Sequence, residues 1–343
     1  MKVLIIGGTG LISTPMTHFL QQQNYDVTLY NRGESPVRVP ANTRIVHGDR
    51  QNYVAFEAQM QELGSFDCVI DMVGYAPEDA HSVVRAFRGR LGQFIFCSTV
   101  DVYHKPAAHY PYREDTPYGG LNAYSINKVA CEKTLLAAHE HGDFPVTIIR
   151  PAYTYGDGRG VLYPFGTGST YIDRIRAGKP IIVHGDGSSL WVACHTNDVA
   201  RAFIGAIQNP VTFGKTYHTA GEEWMTWDVY HQRVAAALNA PAPRIVHIPT
   251  EVLHKFSPER AASVTDNFQF NNIFDNSAAR QDLGFQYTIS WVDGVRRSIA
   301  WLEEHNRLPH GSDDSFDDRV IATWQSIEQK ITDEFAEAFH KNA

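Results

Sequence analysis

Tyr124 and Lys128 stand four positions apart in a stretch of helical pattern, Ala123–His141, so their side chains share one face. A phenol with an ordinary pKa of about 10 needs a neighbouring cation to exchange protons near neutrality, and the Lys128 ammonium is placed to be that cation. YxxxK by itself is common by chance on solvated helices. Its surroundings give it meaning. Cys97-Ser98-Thr99 closes one apolar run and Arg150-Pro151-Ala152 closes another. In open α/β folds, ligands bind at that carboxyl edge of the sheet, and Thr99 there could share a hydrogen bond to the reacting oxygen with Tyr124.

A second constellation lies at the N-terminus. Gly7-Gly8-Thr9-Gly10-Leu11-Ile12-Ser13 follows the run Val3–Ile6 directly and opens a helical pattern over Leu11–Gln23. Glycines between a strand and a helix permit a tight turn and close backbone approach to a pyrophosphate, which sits at the positive helix N-terminus. Ser13 replaces the third glycine of the longer motif and is small enough for tight packing. At the end of the second strand, NAD-binding chains usually carry an acid for the ribose 2′-hydroxyl. This chain has Tyr30-Asn31-Arg32 there, and an arginine at that place can pair with a 2′-phosphate, which favours NADP over NAD. The alternative is that Arg32 points to solvent or stacks on the adenine.

These residues need a scaffold. Short β-branched runs at Val3–Ile6, Val27–Tyr30, Arg44–His47, Cys68–Met72, Phe94–Cys97 and Val146–Ile149 alternate with helical patterns that include Leu11–Gln23, Ala80–Arg88 and Ala123–His141. Continuous rather than alternating apolar runs mean burial on both faces. The expectation is an α/β fold: a Rossmann-type doubly wound parallel sheet with a smaller C-terminal substrate-binding lobe. The dinucleotide-binding domain is expected at 1–155, with a return near 193–220 through a helix at Asn197–Ile207 and a strand at Thr216–Thr219. A mixed lobe is expected over 156–310, with a helix at Trp291–Glu304. An amphipathic helix is expected at 313–341, where Phe316, Val320, Trp324, Ile327, Ile331 and Phe335 form one stripe that either packs on its own domain or meets another subunit.

Composition excludes several classes. The 343 residues carry 30 basic and 38 acidic side chains, a net charge of −8, and no basic cluster, which argues against a nucleic-acid partner. Cys68, Cys97, Cys131 and Cys194 are widely spaced, with no CxxC, which suits a reducing, cytoplasmic compartment and neither a disulfide framework nor a zinc site. No apolar run approaches a membrane span, and the 16 histidines form no HExxH.

In order and spacing, GGTGLIS, the HGD at 47–49, STVDVY at 98–103, YSINK at 124–128, RPAYTYGDG at 150–158 and HTNDVARA at 195–202 resemble the extended short-chain dehydrogenase/reductases of the NAD-dependent epimerase/dehydratase family. FDNSAARQDLGF at 274–285 matches more loosely. The resemblance implies Tyr124 as acid/base, Lys128 as its partner and a ligand of the nicotinamide ribose, and Thr99 as the catalytic hydroxyl residue. It places Gly7, Gly10, Leu11 and Ile12 on the pyrophosphate, Asp49 and Arg50 on the adenine, and Met72, Val73 and Gly74 on the adjoining ribose. Asn31, Arg32 and Ser98 complete the cofactor side, with Pro151 and Tyr153 flanking the nicotinamide. It also implies a homodimer through the helices near 80–90 and 123–141.

Two departures narrow the chemistry. Dehydratases of the family carry Asp-Glu after the threonine, where this chain has Val100-Asp101, so sugar dehydration is disfavoured. Trp191 stands where nucleotide-sugar enzymes often place an arginine, so Trp191, Tyr153, Thr99 and His195 are expected around a substrate that lacks a diphosphate. The expected activity is an NAD(P)-dependent oxidoreduction or epimerisation at a hydroxyl or carbonyl of a sugar-like molecule. The alternative is a non-catalytic RNA-binding protein on the same fold, since VTLYNRG resembles the chloroplast stem-loop binding subgroup.

Overall fold

The computed structural model describes residues 1–34, 36, 38–120, 122–166, 171–308 and 315–340. Its centre is a seven-stranded sheet of β1 (Lys2–Ile6), β2 (Asp26–Asn31), β3 (Arg44–His47), β4 (Cys68–Asp71), β5 (Phe94–Cys97), β6 (Val146–Pro151) and β7 (Lys215–Thr219). The spatial order is β7-β6-β5-β4-β1-β2-β3 and every pairing is parallel. Helices α1 (Ser13–Gln22), α2 (Tyr53–Glu62), α3 (Pro77–Phe87), α4 (Ala123–Glu140) and α5 (Thr196–Ala206) complete the crossovers.

Both faces of the sheet are buried, which explains the continuous apolar runs. Val3, Ile5, Ile70 and Ile95 pack against Met16 and Leu20 of α1 and Val199 and Phe203 of α5. Leu4, Ile6, Val69 and Phe96 face Phe56 and Met60 of α2, Val83 and Phe87 of α3 and Leu135 of α4. The chain order reverses direction beside β1, with β2 on one side and β4 on the other, and Ile6 lies opposite both Tyr30 and Asp71. That reversal opens a crevice at the carboxyl ends of the strands, the place where such sheets bind ligands.

The chain divides into two compact units. The first comprises Met1–Arg159, Val192–Trp224 and Asn272–Ser298, and so takes the chain back twice, where one return was expected. The reason is the short helix Ser277–Leu283. Its Ala279 and Leu283, with Phe285, join the core beneath β7, and Asp282 accepts a hydrogen bond from the Tyr217 hydroxyl at 2.8 Å.

The second unit is Gly160–Trp191, Met225–Asn271 and Ile299–Ala343. It holds a parallel pair, Ile181–His184 with Ile245–Ile248, and an aromatic core of Trp191, Trp227 and Phe268. A helix runs over Ser315–His340. Positions 313, 314 and 341 of the expected helix lie outside the described residues. Of its stripe, Phe316, Val320 and Trp324 pack with Ile182, Ile248 and Leu253, joined by Ile321 from beside the stripe, whereas Ile331 and Phe335 are exposed. No helix among the described residues is long and apolar enough to cross a membrane.

Candidate active site

The glycine turn leaves β1 at the reversal point. Gly7 has φ +85°, and a Cβ there would stand 2.5 Å from Val73 Cγ1, so the turn requires glycine. Ser13 braces it: its Oγ accepts the Gly10 N–H at 2.8 Å and donates to the Gly7 carbonyl at 2.8 Å. Helix α1 begins beyond with Ile12 as N-cap, without a side-chain cap and without an acid in its first turn. The Thr14 N–H is taken by the Gly10 carbonyl at 3.0 Å and Pro15 has none, so what this helix start offers an anion is its positive end and the backbone of the turn before it. A cleft of about 290 Å³ adjoins the turn, lined by Gly7, Gly10, Asn31, Arg32, Asp49 and Val73 among others. Within it Asn31 Nδ2 is buried without a hydrogen-bond partner among the described residues, a donor that a ligand would satisfy. A bare backbone turn, an uncapped helix start and an orphaned donor fit a dinucleotide with its pyrophosphate at the turn.

At the edge of β5 and β6 the structure brings Thr99, Tyr124 and Lys128 together. The capping box of Asn122 and Ser125 starts α4 and sets Tyr124 in its first turn. Thr99 Oγ1 accepts the Asp101 N–H at 3.1 Å, and its hydroxyl proton is directed toward Tyr124, whose pKa it lowers. Lys128 is 1% exposed, and its Nζ donates to the Cys97 carbonyl at 2.7 Å. The ammonium lies 4.6 Å from the Phe96 ring centre, 4.7 Å from that of Tyr75 and 5.9 Å from that of Tyr124.

Desolvation pushes the Tyr124 hydroxyl well above its ordinary pKa, Cys97 and Asp101 add to the rise, and the Thr99 hydrogen bond opposes it. The phenol is thus a held proton donor in this state. Burial lowers the Lys128 pKa, against the pull of Cys97 and Asp71. Among the described residues this buried cation has no ion-pair partner.

Two buried ionic frames, which sequence reasoning missed, support the edge. Arg50 was expected to face adenine. It lines the cleft, but its guanidinium is held by Asp71 at 2.9 Å and Asp79 at 3.2 Å. Asp71 also accepts the Val73 N–H, and Asp79 accepts those of Tyr75 and Ala76 at the start of α3. Arg50 thereby fixes the loop that carries Met72, Val73 and Gly74 past the turn.

In the second frame Arg150 meets Glu132 in two bonds, 2.9 and 2.6 Å, and bonds the hydroxyls of Tyr103 and Tyr118 at 2.6 and 2.9 Å. Ser98, expected on the cofactor side, is buried and donates to Glu132 instead. The available signal was spacing, since Glu132 follows Lys128 by four positions on the buried face of α4.

The other expected residues separate. Asp49 borders the cleft and accepts the Gln51 N–H at 2.9 Å. Leu11 offers its carbonyl to Thr196 Oγ1 at 2.7 Å. Pro151 ends β6, and half-buried Tyr153 lies beneath the Arg159 guanidinium at 5.8 Å. Arg32 was expected to be available for a phosphate, but it pairs with Glu34 at 3.0 Å.

His195, expected near the substrate, is fully buried: its Nδ1 caps α5 by accepting the Asn197 N–H at 3.2 Å, and burial lowers its pKa to about 4. Trp191 belongs to the second unit's core, stacked on Trp227 at 5.0 Å with Phe268 edge-on at 4.8 Å, so its ring is covered by protein.

Comparison with known proteins agrees with this architecture. The chain is 28% identical over 94% of its length to the chloroplast stem-loop binding protein of 41 kDa b of Arabidopsis thaliana, covering 84% of that protein. It is 26% identical over 80% of its length to 2′-dehydrokanamycin reductase of Streptomyces kanamyceticus, covering 77% of it. Among solved structures, UDP-glucuronic acid 4-epimerase of Bacillus cereus in complex with NAD superposes with a TM-score of 0.70 at 18% identity, over 89% of this chain and 99% of that one. The model of the NAD dependent epimerase/dehydratase family matches residues 3–87 and 79–220. With most of the first unit and its strand-edge motifs inside that match, the chain belongs to the NAD dependent epimerase/dehydratase family.

Proposed function

We propose that the chain is a nicotinamide-dependent oxidoreductase or epimerase acting at a hydroxyl or carbonyl carbon of a sugar or sugar-like molecule. The observation that carries the reading is Lys128, a buried cation without an ion-pair partner beside Tyr124 and Thr99. A fold keeps such a charge against its desolvation when a ligand uses it. The bound cofactor would supply or accept a hydride at its nicotinamide C4. Thr99, by turning its hydroxyl from Tyr124 to the substrate, holds the substrate oxygen, and Tyr124 gives that oxygen a proton in reduction or takes one in oxidation. Lys128 holds the nicotinamide ribose. Gly7, Gly10, Leu11 and Ile12 take the pyrophosphate, Asn31 and Asp49 the adenosine half, and Met72, Val73 and Gly74 the loop beside it. Pro151 and Tyr153 flank the nicotinamide.

The reductase and epimerase relatives support hydride chemistry on sugars, and the Val100-Asp101 pair speaks against dehydration. NAD and NADP both remain within the proposal, and a homodimer through α3 and α4 belongs to it as well. The test is turnover: purified protein oxidises NADH or NADPH against a panel of keto-sugars. Tyr124→Phe should then lose at least ~100-fold in rate at unchanged cofactor affinity. Unchanged turnover would remove Tyr124 from its role.

A second reading is favoured by one observation, the length of the match to the stem-loop binding protein. Retention of the stem-loop RNA probe on a filter, with no dinucleotide bound, would support it over the first.

A further inference from the structure

We propose that Tyr75 is a positioning residue of the candidate site, one whose ring holds the charged Lys128 ammonium in its buried place for a dinucleotide to use. The inference rests on the dinucleotide reading above and deepens it.

Backbone geometry delivers the ring. β4 ends at Asp71, and the segment that follows runs close to β5: a Cβ on Gly74 would stand 2.8 Å from Phe96 Cε2, so a side chain there would displace that ring. The next residue is anchored by its backbone, the Tyr75 N–H donating to Asp79 Oδ2 at 2.7 Å at the start of α3. Its ring then stands over the Lys128 ammonium, 4.7 Å from centre to nitrogen, with the Tyr124 ring 6.3 Å away. Packing does not explain this ring. Phe96, 4.6 Å from the same ammonium, belongs to the core of the sheet, whereas Tyr75 is 51% exposed and lines the cleft beside the glycine turn.

The charges around Lys128 leave its ammonium to the rings. Two carboxylates act on it, Asp71 at the end of β4 and Glu132 on α4. Each is already bound by an arginine, Arg50 at 2.9 Å and Arg150 at 2.6 Å. Two thiols also act on it, Cys97 on β5 and Cys131 on α4, but burial pushes both up to about 11, so near neutrality they carry no charge. Burial likewise keeps the Tyr75 and Tyr124 phenols protonated. What remains is the Cys97 carbonyl and the negative faces of Phe96, Tyr75 and Tyr124. An aromatic face attracts a desolvated cation more strongly than a hydrated one. Tyr75 therefore offsets part of the desolvation that disfavours the charge on Lys128.

The experiment follows that charge directly. The full chain, carrying 13C at its lysine ε-carbons, is titrated by NMR from neutral to alkaline pH, and the Lys128 resonance is the one absent from Lys128→Met. Tyr75→Leu and Tyr75→Met keep an apolar cover but remove the aromatic face. Each should lower the Lys128 titration point by about one pH unit, a tenfold change in the charge equilibrium. Tyr75→Phe keeps the face and should titrate with the parent. Affinity for NADH, read from nicotinamide fluorescence over the same range, should fall in step with the loss of the Lys128 charge in each variant. All three variants should melt with the parent, because the backbone of Tyr75 carries its anchoring bond. A titration point that is unchanged or raised in Tyr75→Leu and Tyr75→Met would reduce the ring to a cover and overturn the inference, with the dinucleotide reading intact. Tyr75→Phe titrating with Tyr75→Leu would overturn it equally. A parent chain that binds neither NADH nor NADPH would overturn the dinucleotide reading, and with it the use assigned to the held charge.

Discussion

Lys128 concentrates the argument at the scale of the residue. Its ammonium has one backbone carbonyl and the faces of Phe96, Tyr75 and Tyr124 for company, and burial disfavours its charge. For stability alone a methionine would serve as well or better, since replacing a buried charge with an apolar side chain of similar size is often neutral or stabilising. Lys128→Met should therefore melt at or above the parent temperature while binding dinucleotide roughly tenfold more weakly, the scale of one charged hydrogen bond. Calorimetry and fluorescence titration check the two halves. A lower melting temperature with unchanged affinity would make Lys128 structural.

At the scale of the element, parallel register gathers the strand ends, and the two ionic frames hold them in place. Glu132 is completely buried, with Arg150 bound to it by two bonds. Glu132→Ala strands the Arg150 charge and should cost about 3–5 kcal/mol, whereas Glu132→Leu with Arg150→Met should cost much less. Denaturant unfolding of Glu132→Leu, of Arg150→Met and of the double variant reads the coupling, and simple additivity would refute the pairing.

How far such elements can be read from sequence follows from their physics. The run at Phe94–Cys97 coincides with β5, because burial on both faces leaves an uninterrupted apolar signal, and that at Arg44–His47 coincides with the edge strand β3 through its central Ile45-Val46 alone. Helix α2 escaped notice, since its YVAFEAQMQE buries only Phe56 and Met60. Strand-end motifs located the site but could not say where side chains point. Hence Ser98 and Arg50 turned out to serve Glu132, Asp71 and Asp79, and Glu34 was overlooked. That Trp227 and Phe268 cover the Trp191 ring could not be read from sequence spacing.

For the whole molecule, buried histidines tie stability to pH. His184 and His195 have pKa values lowered to about 4, and His218 and His231 to about 3, each chiefly through burial. The unfolded chain takes up these protons below its ordinary histidine value of about 6.5, whereas the folded chain does not until nearer pH 4 or 3. Stability therefore falls with acidification across that window, by on the order of 1–2 kcal/mol per histidine at pH 5. Thermal melts at pH 8, 6.5 and 5 should show a small decrease at pH 6.5 and a much larger drop at pH 5. Equal melting temperatures at pH 6.5 and 5 would contradict the burial argument.

The central claim concerns what the strand edge holds. Native mass spectrometry of the intact chain, titrated with NADH and NADPH, tests it most directly. The account predicts one dinucleotide per chain, for the parent and for Tyr124→Phe alike. A chain that stays free of both at millimolar cofactor would contradict it.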